Sequence, residues 1–155
     1  MASGSAQAVS KQPNDSISFF ISVGLFQDVP PRNLLQLVQI SEMVSFPAGE
    51  VIITEGDTTN DFLLVREGTV EVFVQRAGGE VVITRLGPKA YFGEMAVFDN
   101  YPRSAGVRAV TDVVAYKITR ENLSNFLHFN PAVLFQMCTV FTHRLRNTNS
   151  ALAKH

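Results

Sequence analysis

The sequence predicts an α+β fold that is mainly β, an antiparallel eight-stranded jelly-roll β-barrel flanked by N-terminal helices and two C-terminal helices. Short apolar runs with a two-residue alternation fill residues 44–118, and glycines and prolines separate them at the spacing of a barrel or sandwich. The segments on both sides carry apolar residues at helical spacing instead. A chain of 155 residues is long enough to bury the core of one domain.

The N-terminal segment differs from the rest of the chain. It is small, polar and aperiodic, which predicts a disordered tail or linker over residues 1–15, followed by a single domain over residues 16–153. Two short helices are expected next, in "SISFFISVGLFQDV" and "PRNLLQLVQISEMV". Pro31 suits the first turn of the second helix because a proline there loses no intrahelical hydrogen bond.

Strand signals dominate the middle of the chain. The turns expected at Glu67–Gly68 and Gly78–Gly79 separate runs of alternating residues. In the run "VVAYKI", side chains two positions apart point to the same face, so Val114, Tyr116 and Ile118 are expected to share one face of a strand. Many short strands at this spacing favour the antiparallel barrel.

Two helices are predicted at the C-terminal end. Thr119 is placed to cap "RENLSNFLHF", and Asn130–Pro131 begins a longer helix. The longer helix carries a seam with the 4-3-4-3-4 spacing of a heptad pattern, formed by Leu134, Cys138, Phe141, Leu145, Thr148 and Leu152. Two interpretations stay open, since the seam either pairs with a second subunit in a homodimer or packs on the chain's own barrel. Cys138 is expected to be buried on it.

Composition excludes several classes of protein. Lys and Arg number 13 against 14 Asp and Glu, a near-neutral balance that argues against a nucleic-acid-binding face. The lone cysteine excludes an intramolecular disulfide and a multi-cysteine metal site, and indicates a reducing compartment. No apolar run approaches the roughly 18–20 residues of a membrane span, so the chain is expected to be cytoplasmic.

The stretch "FGEMAVFDNYPRSAG", residues 92–106, interrupts the strand pattern. A single helical turn beginning at Gly93 would aim backbone N–H groups at an anion, and Arg103 supplies a planar charged fork suited to a phosphate. Ser104 and Ala105 are small enough for a ligand to approach the backbone, and the Glu94 carboxylate accepts hydrogen bonds from a sugar hydroxyl. The alternative is a surface ion pair between Glu94 and Arg103.

The same stretch resembles the phosphate-binding cassette of the cyclic nucleotide-binding domain family. The family pattern runs F-G-E-[ML]-A, a short spacer, and P-R-[SAT]-A, and this chain has "FGEMA", a spacer and "PRSA". The likeness extends from about residue 20 to residue 150 through "PAGEVIITEGD", "FLLVREGTVEV" and "ITRLGP". It is similar to the bacterial cyclic AMP receptors without their DNA-binding domain, so no direct contact with nucleic acid is expected.

The resemblance implies a role for each cassette residue. Glu94 would accept the ribose 2'-hydroxyl with Gly93 offering backbone contact there, and Arg103 would hold the phosphate oxygens. The ligand-binding segment also includes Met95, with backbone N–H groups of Ala96 and Ala105 assisting at the phosphate. Ser104 stands where the family varies, and a serine there favours cyclic AMP over cyclic GMP. Gly106 replaces a bulkier residue, so the cassette is expected to be looser at that end.

Further contacts with the base and ribose are expected from the barrel wall and from the last helix. Leu64, Val72 and Val82 are candidates for the wall, with core packing as the alternative role. Thr148 and Asn149 fall where the tail of this helix covers the base in regulators of the family, the alternative being a frayed polar helix end.

The predicted function is that of a regulatory sensor that binds cyclic AMP, needs no cofactor and signals by movement of its C-terminal helix to a downstream partner or fused effector domain. A cyclic GMP-selective domain and a degenerate, non-binding interaction scaffold are the alternatives. A jelly-roll metalloenzyme is not favoured, because His128, His143 and His155 all lie in the C-terminal region and none in the barrel.

Overall fold

Two antiparallel sheets form the body of the protein in a computed structural model that describes residues 7–8 and 13–153. Within that part of the chain the strands are β1 (Gln7–Ala8), β2 (Glu42–Phe46), β3 (Val51–Ile53), β4 (Phe62–Glu67), β5 (Val70–Arg76), β6 (Gly79–Leu86), β7 (Tyr91–Phe92), β8 (Gly106–Ala109) and β9 (Val113–Ile118).

The strand order is that of a jelly roll. One sheet has the order β1-β2-β9-β4-β7 and the other β3-β8-β5-β6. The described residues form nine strands where eight were predicted, and both sheets contain neighbours that are not consecutive in the chain. The strand β1 is additional and pairs Gln7 with Ser45 and Ala8 with Val44, so part of the segment predicted as a tail lies against the sheet. Residues 1–6 and 9–12 of that segment lie outside the described residues.

Helices α1 (Pro13–Ser22) and α2 (Pro31–Ile40) precede β2, the short α3 (Met95–Phe98) lies between β7 and β8, and α4 (Arg120–Phe129) and α5 (Pro131–Ala153) follow β9. The predicted start of α2 at Pro31 is confirmed. So is the Thr119 cap, whose side chain accepts a hydrogen bond from the Asn122 N–H at 3.2 Å. None of the described helices is long and apolar enough to cross a membrane.

The sheet that contains β4 and β9 is buried on both of its faces. Along β9, Ala115 points into the barrel interior, whereas Tyr116 and Ile118 pack under the helices. Along β4, Leu63 faces the interior and Leu64 faces the helices. This two-residue alternation divides the apolar residues into an interior layer and a helix-side layer, with the sheet between them.

A hydrogen-bonded tyrosine joins the N-terminal helix to the sheet. The Tyr116 hydroxyl donates to the Ser16 hydroxyl at 2.9 Å and accepts from the Arg66 guanidinium at 2.6 Å. Tyr116 and Ser16 are both fully buried. Since buried polar groups need partners, this network fixes how α1 sits on the sheet.

Replacing Tyr116 with Phe is expected to lower the free energy of unfolding by about 1–3 kcal/mol, because the buried Ser16 hydroxyl loses its donor. Urea denaturation followed by circular dichroism measures this change. An unchanged unfolding midpoint would show that the network does not contribute to stability.

Candidate ligand-binding site

A cavity of about 600 Å³ opens beside the segment that interrupts the strand pattern. Its wall is formed by β-strand residues, by Gly93 to Ala96, by residues 101–105 and, from α5, by Arg144. This volume falls in the range of sites that take small molecules. The predicted cassette residues Gly93, Glu94, Met95, Ala96, Arg103, Ser104 and Ala105 all line it.

Arg103 is a buried cation that forms no ion pair within the described part of the chain. Only 7% of its surface is exposed, and no carboxylate of the described residues lies within ion-pair distance of its guanidinium. Burial lowers the pKa of this guanidinium, and nearby carboxylates, first that of Asp61, act in the opposite direction. A buried charge is costly unless it is paired, so the site favours an anion.

Neutral oxygens hold the Arg103 guanidinium in place. Its Nε donates to the Thr59 hydroxyl at 3.2 Å, and its two Nη atoms donate to the carbonyls of Gly93 at 3.2 Å and Asp61 at 2.9 Å. A guanidinium carries five N–H donors, so donors remain for a ligand. Sequence reasoning missed Thr59 and Asp61, which belong to a loop far from Arg103 along the chain.

The backbone of the same loop also holds Arg103. Its N–H donates to the Asp57 carbonyl at 2.7 Å, and its carbonyl accepts from the Gly56 N–H at 2.8 Å. Gly56 has a φ of 85°, a left-handed value that favours glycine. The turn at Gly56–Asp57 is therefore a structural support for the site.

Gly93 occupies a position that only glycine can fill. Its φ is 83°, and a Cβ atom there would lie 2.6 Å from the Asp61 carbonyl oxygen and 2.8 Å from an Arg103 Nη atom. Both distances are shorter than a real carbon contact allows. The absence of a side chain thus lets the cassette backbone reach the arginine.

Glu94 is covered by an arginine from α5. Its Oε1 atom lies 3.5 Å from Arg144 Nη1, and the Arg144 guanidinium carbon lies 4.9 Å from the centre of the Tyr91 ring. Sequence reasoning missed Arg144. The sequence pattern that points to Arg144 is its helical spacing from Met137 and the half-buried Val140, which lie on the buried face of α5.

The space beside Gly106 is filled. A Cβ atom there would lie 2.6 Å from the Phe73 ring, and the Arg108 guanidinium carbon lies 4.4 Å from the centre of that ring on β5. The expectation of a looser cassette at Gly106 is therefore wrong, because the Phe73 ring occupies the place that a larger side chain would take.

Two of the three predicted wall residues lie outside the cavity. Val72 lines it, but Leu64 packs in the helix-side layer. Val82 is 46% exposed. Val72 pairs with Thr84, but the next residue, Phe73, pairs with Val82, and this shift in register turns Val82 away from the cavity. This bulge puts Thr84 on the wall.

The predicted base contacts on α5 are exposed and do not line the cavity. Thr148 donates to the Arg144 carbonyl at 3.0 Å within the helix, and the exposed Asn149 follows it. The cavity contact from α5 comes instead one turn earlier, at Arg144. Thr148 and Asn149 therefore stand beyond the part of α5 that meets the cavity.

The predicted seam of α5 faces away from the barrel except at Phe141, which is half-buried. The expected burial of Cys138 is wrong, since its side chain is exposed. Leu145 and Leu152 are 62% and 69% exposed. The face that packs on the protein runs instead through Val133 and Met137 to Arg144.

His128 lies on α4 and His143 on α5, both outside the barrel strands. Residues 7–8 and 13–153 hold no group of three or more His, Cys, Asp and Glu side chains that could bind a metal ion. His155 lies outside the described residues.

Similarity to known proteins agrees with this geometry. A model of the cyclic nucleotide-binding domain matches residues 43–130. The CRP-like cAMP-activated global transcriptional regulator of Mycobacterium tuberculosis is 31% identical over 131 residues, which are 84% of this chain and 58% of that protein. The cAMP-dependent protein kinase regulatory subunit of Emericella nidulans is 34% identical over 110 residues, which are 71% of this chain and 26% of that protein.

The Thermus thermophilus catabolite activator protein has a similar structure. The two superpose with a TM-score of 0.78 at 29% identity, over 83% of this chain and 61% of that one. The chain thus spans little more than half of the regulators that it resembles. Because the family model matches more than half of its residues, the chain belongs to the cyclic nucleotide-binding domain family.

Proposed function

We propose that this chain is a regulatory sensor domain that binds cyclic AMP in the cavity beside Arg103 and catalyses no reaction. One observation supports this function above the others, namely that Arg103 is buried at the cavity wall and no carboxylate of the described residues lies within ion-pair distance of it. A cyclic phosphodiester carries one negative charge and offers oxygens to the free N–H groups of the guanidinium. The free thiol of Cys138 fits a reducing compartment such as the cytoplasm.

The sugar of the ligand is assigned to Glu94. Glu94 lies at the start of α3 with 17% of its side chain exposed, so it is open enough to accept a ribose hydroxyl. Charge-assisted hydrogen bonds of this kind contribute on the order of 1.5–3 kcal/mol each. Glu94 suits a ligand that carries a hydroxyl, and Arg103 suits one that carries a single anionic phosphate.

Cyclic AMP is favoured over cyclic GMP. Ser104 is exposed at the cavity, and the family resemblance associates serine at this position with cyclic AMP. The names of the relatives from Mycobacterium tuberculosis and Emericella nidulans also refer to cyclic AMP. The preference for cyclic AMP is therefore part of the proposal, and titration with cyclic AMP and cyclic GMP tests it.

Calorimetric titration is expected to show that cyclic AMP binds more tightly than cyclic GMP, and that linear AMP binds weakly. Arg103→Ala should weaken cyclic AMP binding about 10- to 100-fold, because the charged contacts to the phosphate are lost. Arg103→Lys should restore only part of the affinity, since an ammonium lacks the planar fork.

Arg76→Ala is the matched control, because Arg76 is exposed and pairs with Glu55 outside the cavity. Equal affinity in Arg103→Ala and Arg76→Ala would contradict the assigned site. No binding of either cyclic nucleotide to the natural chain would favour the interaction scaffold instead.

The signal is proposed to travel through α5. Two contacts join the cassette to this helix: the ion pair of Glu94 with Arg144, and the edge-to-face pair of Phe98 with Phe141, whose ring centres lie 5.8 Å apart. A ligand that binds Glu94 changes both contacts. Such a ligand shifts the position of α5 only by as much as its affinity differs between the two states.

Hydrogen exchange measured by mass spectrometry is expected to slow along α5, as well as in the cassette, when cyclic AMP saturates the chain. The reason is that the helix closes over the occupied cavity. In Arg144→Ala the change along α5 should be smaller at the same saturation. Protection confined to the cassette, with α5 exchange unchanged, would contradict this route.

We also propose that the exposed seam of α5 pairs with a second copy of the chain. The seam residues Leu134, Leu145 and Leu152 are exposed, and the neighbouring Phe135 is 75% exposed. An apolar helix face of this kind is typical of an interface. The downstream protein or effector domain would then respond to the orientation of two paired helices.

Light scattering after size exclusion is expected to give the mass of a dimer for the natural chain and of a monomer for Leu145→Glu. A buried charge at the seam would oppose pairing. Arg146→Glu introduces the same side chain beside the seam and should leave the dimer intact. A natural chain that stays monomeric at high concentration would rule this interface out.

A further inference from the structure

Tyr91 carries a buried hydroxyl that makes no hydrogen bond with any of the residues that the structure describes. Among the described residues its Oη is the single buried side-chain oxygen or nitrogen for which no hydrogen bond is made. The buried Tyr116 hydroxyl, by contrast, both donates and accepts. Buried polar groups are nearly always satisfied, so an unsatisfied one points to a second state in which it gains a partner.

The position of Tyr91 connects it with the sugar side of the cavity. Its ring lies on the cavity wall and stacks on Phe62, with ring centres 5.6 Å apart. The Arg144 guanidinium covers the ring at 4.9 Å and also reaches Glu94 at 3.5 Å. Tyr91 and Glu94 are therefore neighbours of the same guanidinium.

The Tyr91 hydroxyl is available as a donor. Burial raises its pKa, and the carboxylate of Glu94 acts in the same direction against the opposing Arg144 charge. The hydroxyl thus keeps its proton at neutral pH. A carboxylate accepts several hydrogen bonds, and the Glu94 contact with Arg144 is long at 3.5 Å, so it is easily replaced.

We infer that Tyr91 is a positioning residue for the ribose end of the ligand. When the ligand hydroxyl takes the place of Arg144 at Glu94, the Tyr91 hydroxyl donates to the same carboxylate and orients it. The ribose hydroxyl and Tyr91 then share one acceptor, and Arg144 gives up its contact with Glu94 as α5 closes over the cavity. This inference rests on the proposed function, since it names how the same cavity holds its sugar.

Tyr91→Phe tests the inference with two readouts. The unliganded variant should melt at the same temperature as the natural chain or higher, because no hydrogen bond is removed. Its affinity for cyclic AMP should fall about tenfold, which corresponds to roughly 1.4 kcal/mol. With 2'-deoxy cyclic AMP the two proteins should bind alike, since the coupling between Tyr91 and the ribose hydroxyl is then absent.

Tyr116→Phe is the matched control, because it removes a hydroxyl that is hydrogen-bonded and outside the cavity. It should lower the melting temperature and leave the affinity within about twofold. The inference would be overturned if Tyr91→Phe left the affinity for cyclic AMP unchanged, or if it weakened the binding of cyclic AMP and 2'-deoxy cyclic AMP equally. If the natural chain binds neither nucleotide, the proposed function fails, and the inference with it.

Discussion

The site depends on a buried guanidinium that is held by neutral oxygens. Arg103 is surrounded by the Thr59 hydroxyl and the carbonyls of Asp61 and Gly93, and none of these offsets its charge. A folded chain tolerates such a group when other interactions stabilise the loops around it. The loop at Gly56 and the side-chain-free Gly93 meet that requirement, because both bring backbone close to the arginine.

The sheet that contains β4 and β9 links this site to the helices, because it is buried on both of its faces. Its inner face closes the barrel, and its outer face carries the layer in which Tyr116 and Ile118 pack under α1, α2 and α4. Tyr91 extends the outer face to the edge of the cavity, where Arg144 of α5 covers it. The ligand contact proposed for Glu94 therefore lies where barrel, cassette and last helix meet, so the proposed binding would reach α5 directly.

Much of the fold was predictable from local patterns. Alternation places Val114, Tyr116 and Ile118 on one face, and Pro31 and Thr119 mark helix starts, because these signals need only neighbouring residues. The cassette was also predictable, since its residue types are continuous in sequence. The partners of Arg103 were not, because Thr59 and Asp61 approach it only after the sheets have formed.

The errors have equally definite causes. A bulge between β5 and β6 turned Val82 away from the wall, and no sequence signal marks that bulge. On α5 the expected burial of Cys138 was wrong, because the face that packs on the barrel is a different one and ends in the charged Arg144. Arg144, a charged residue at the end of the buried face of α5, was therefore a better indicator of the site than the apolar seam.

The most direct measurement is a crystal structure of the chain grown with cyclic AMP. We expect the phosphate oxygens to lie within hydrogen-bonding distance of the Arg103 guanidinium and the ribose hydroxyl to contact Glu94. A cavity that stays empty at saturating nucleotide, or a phosphate bound away from Arg103, would contradict the account.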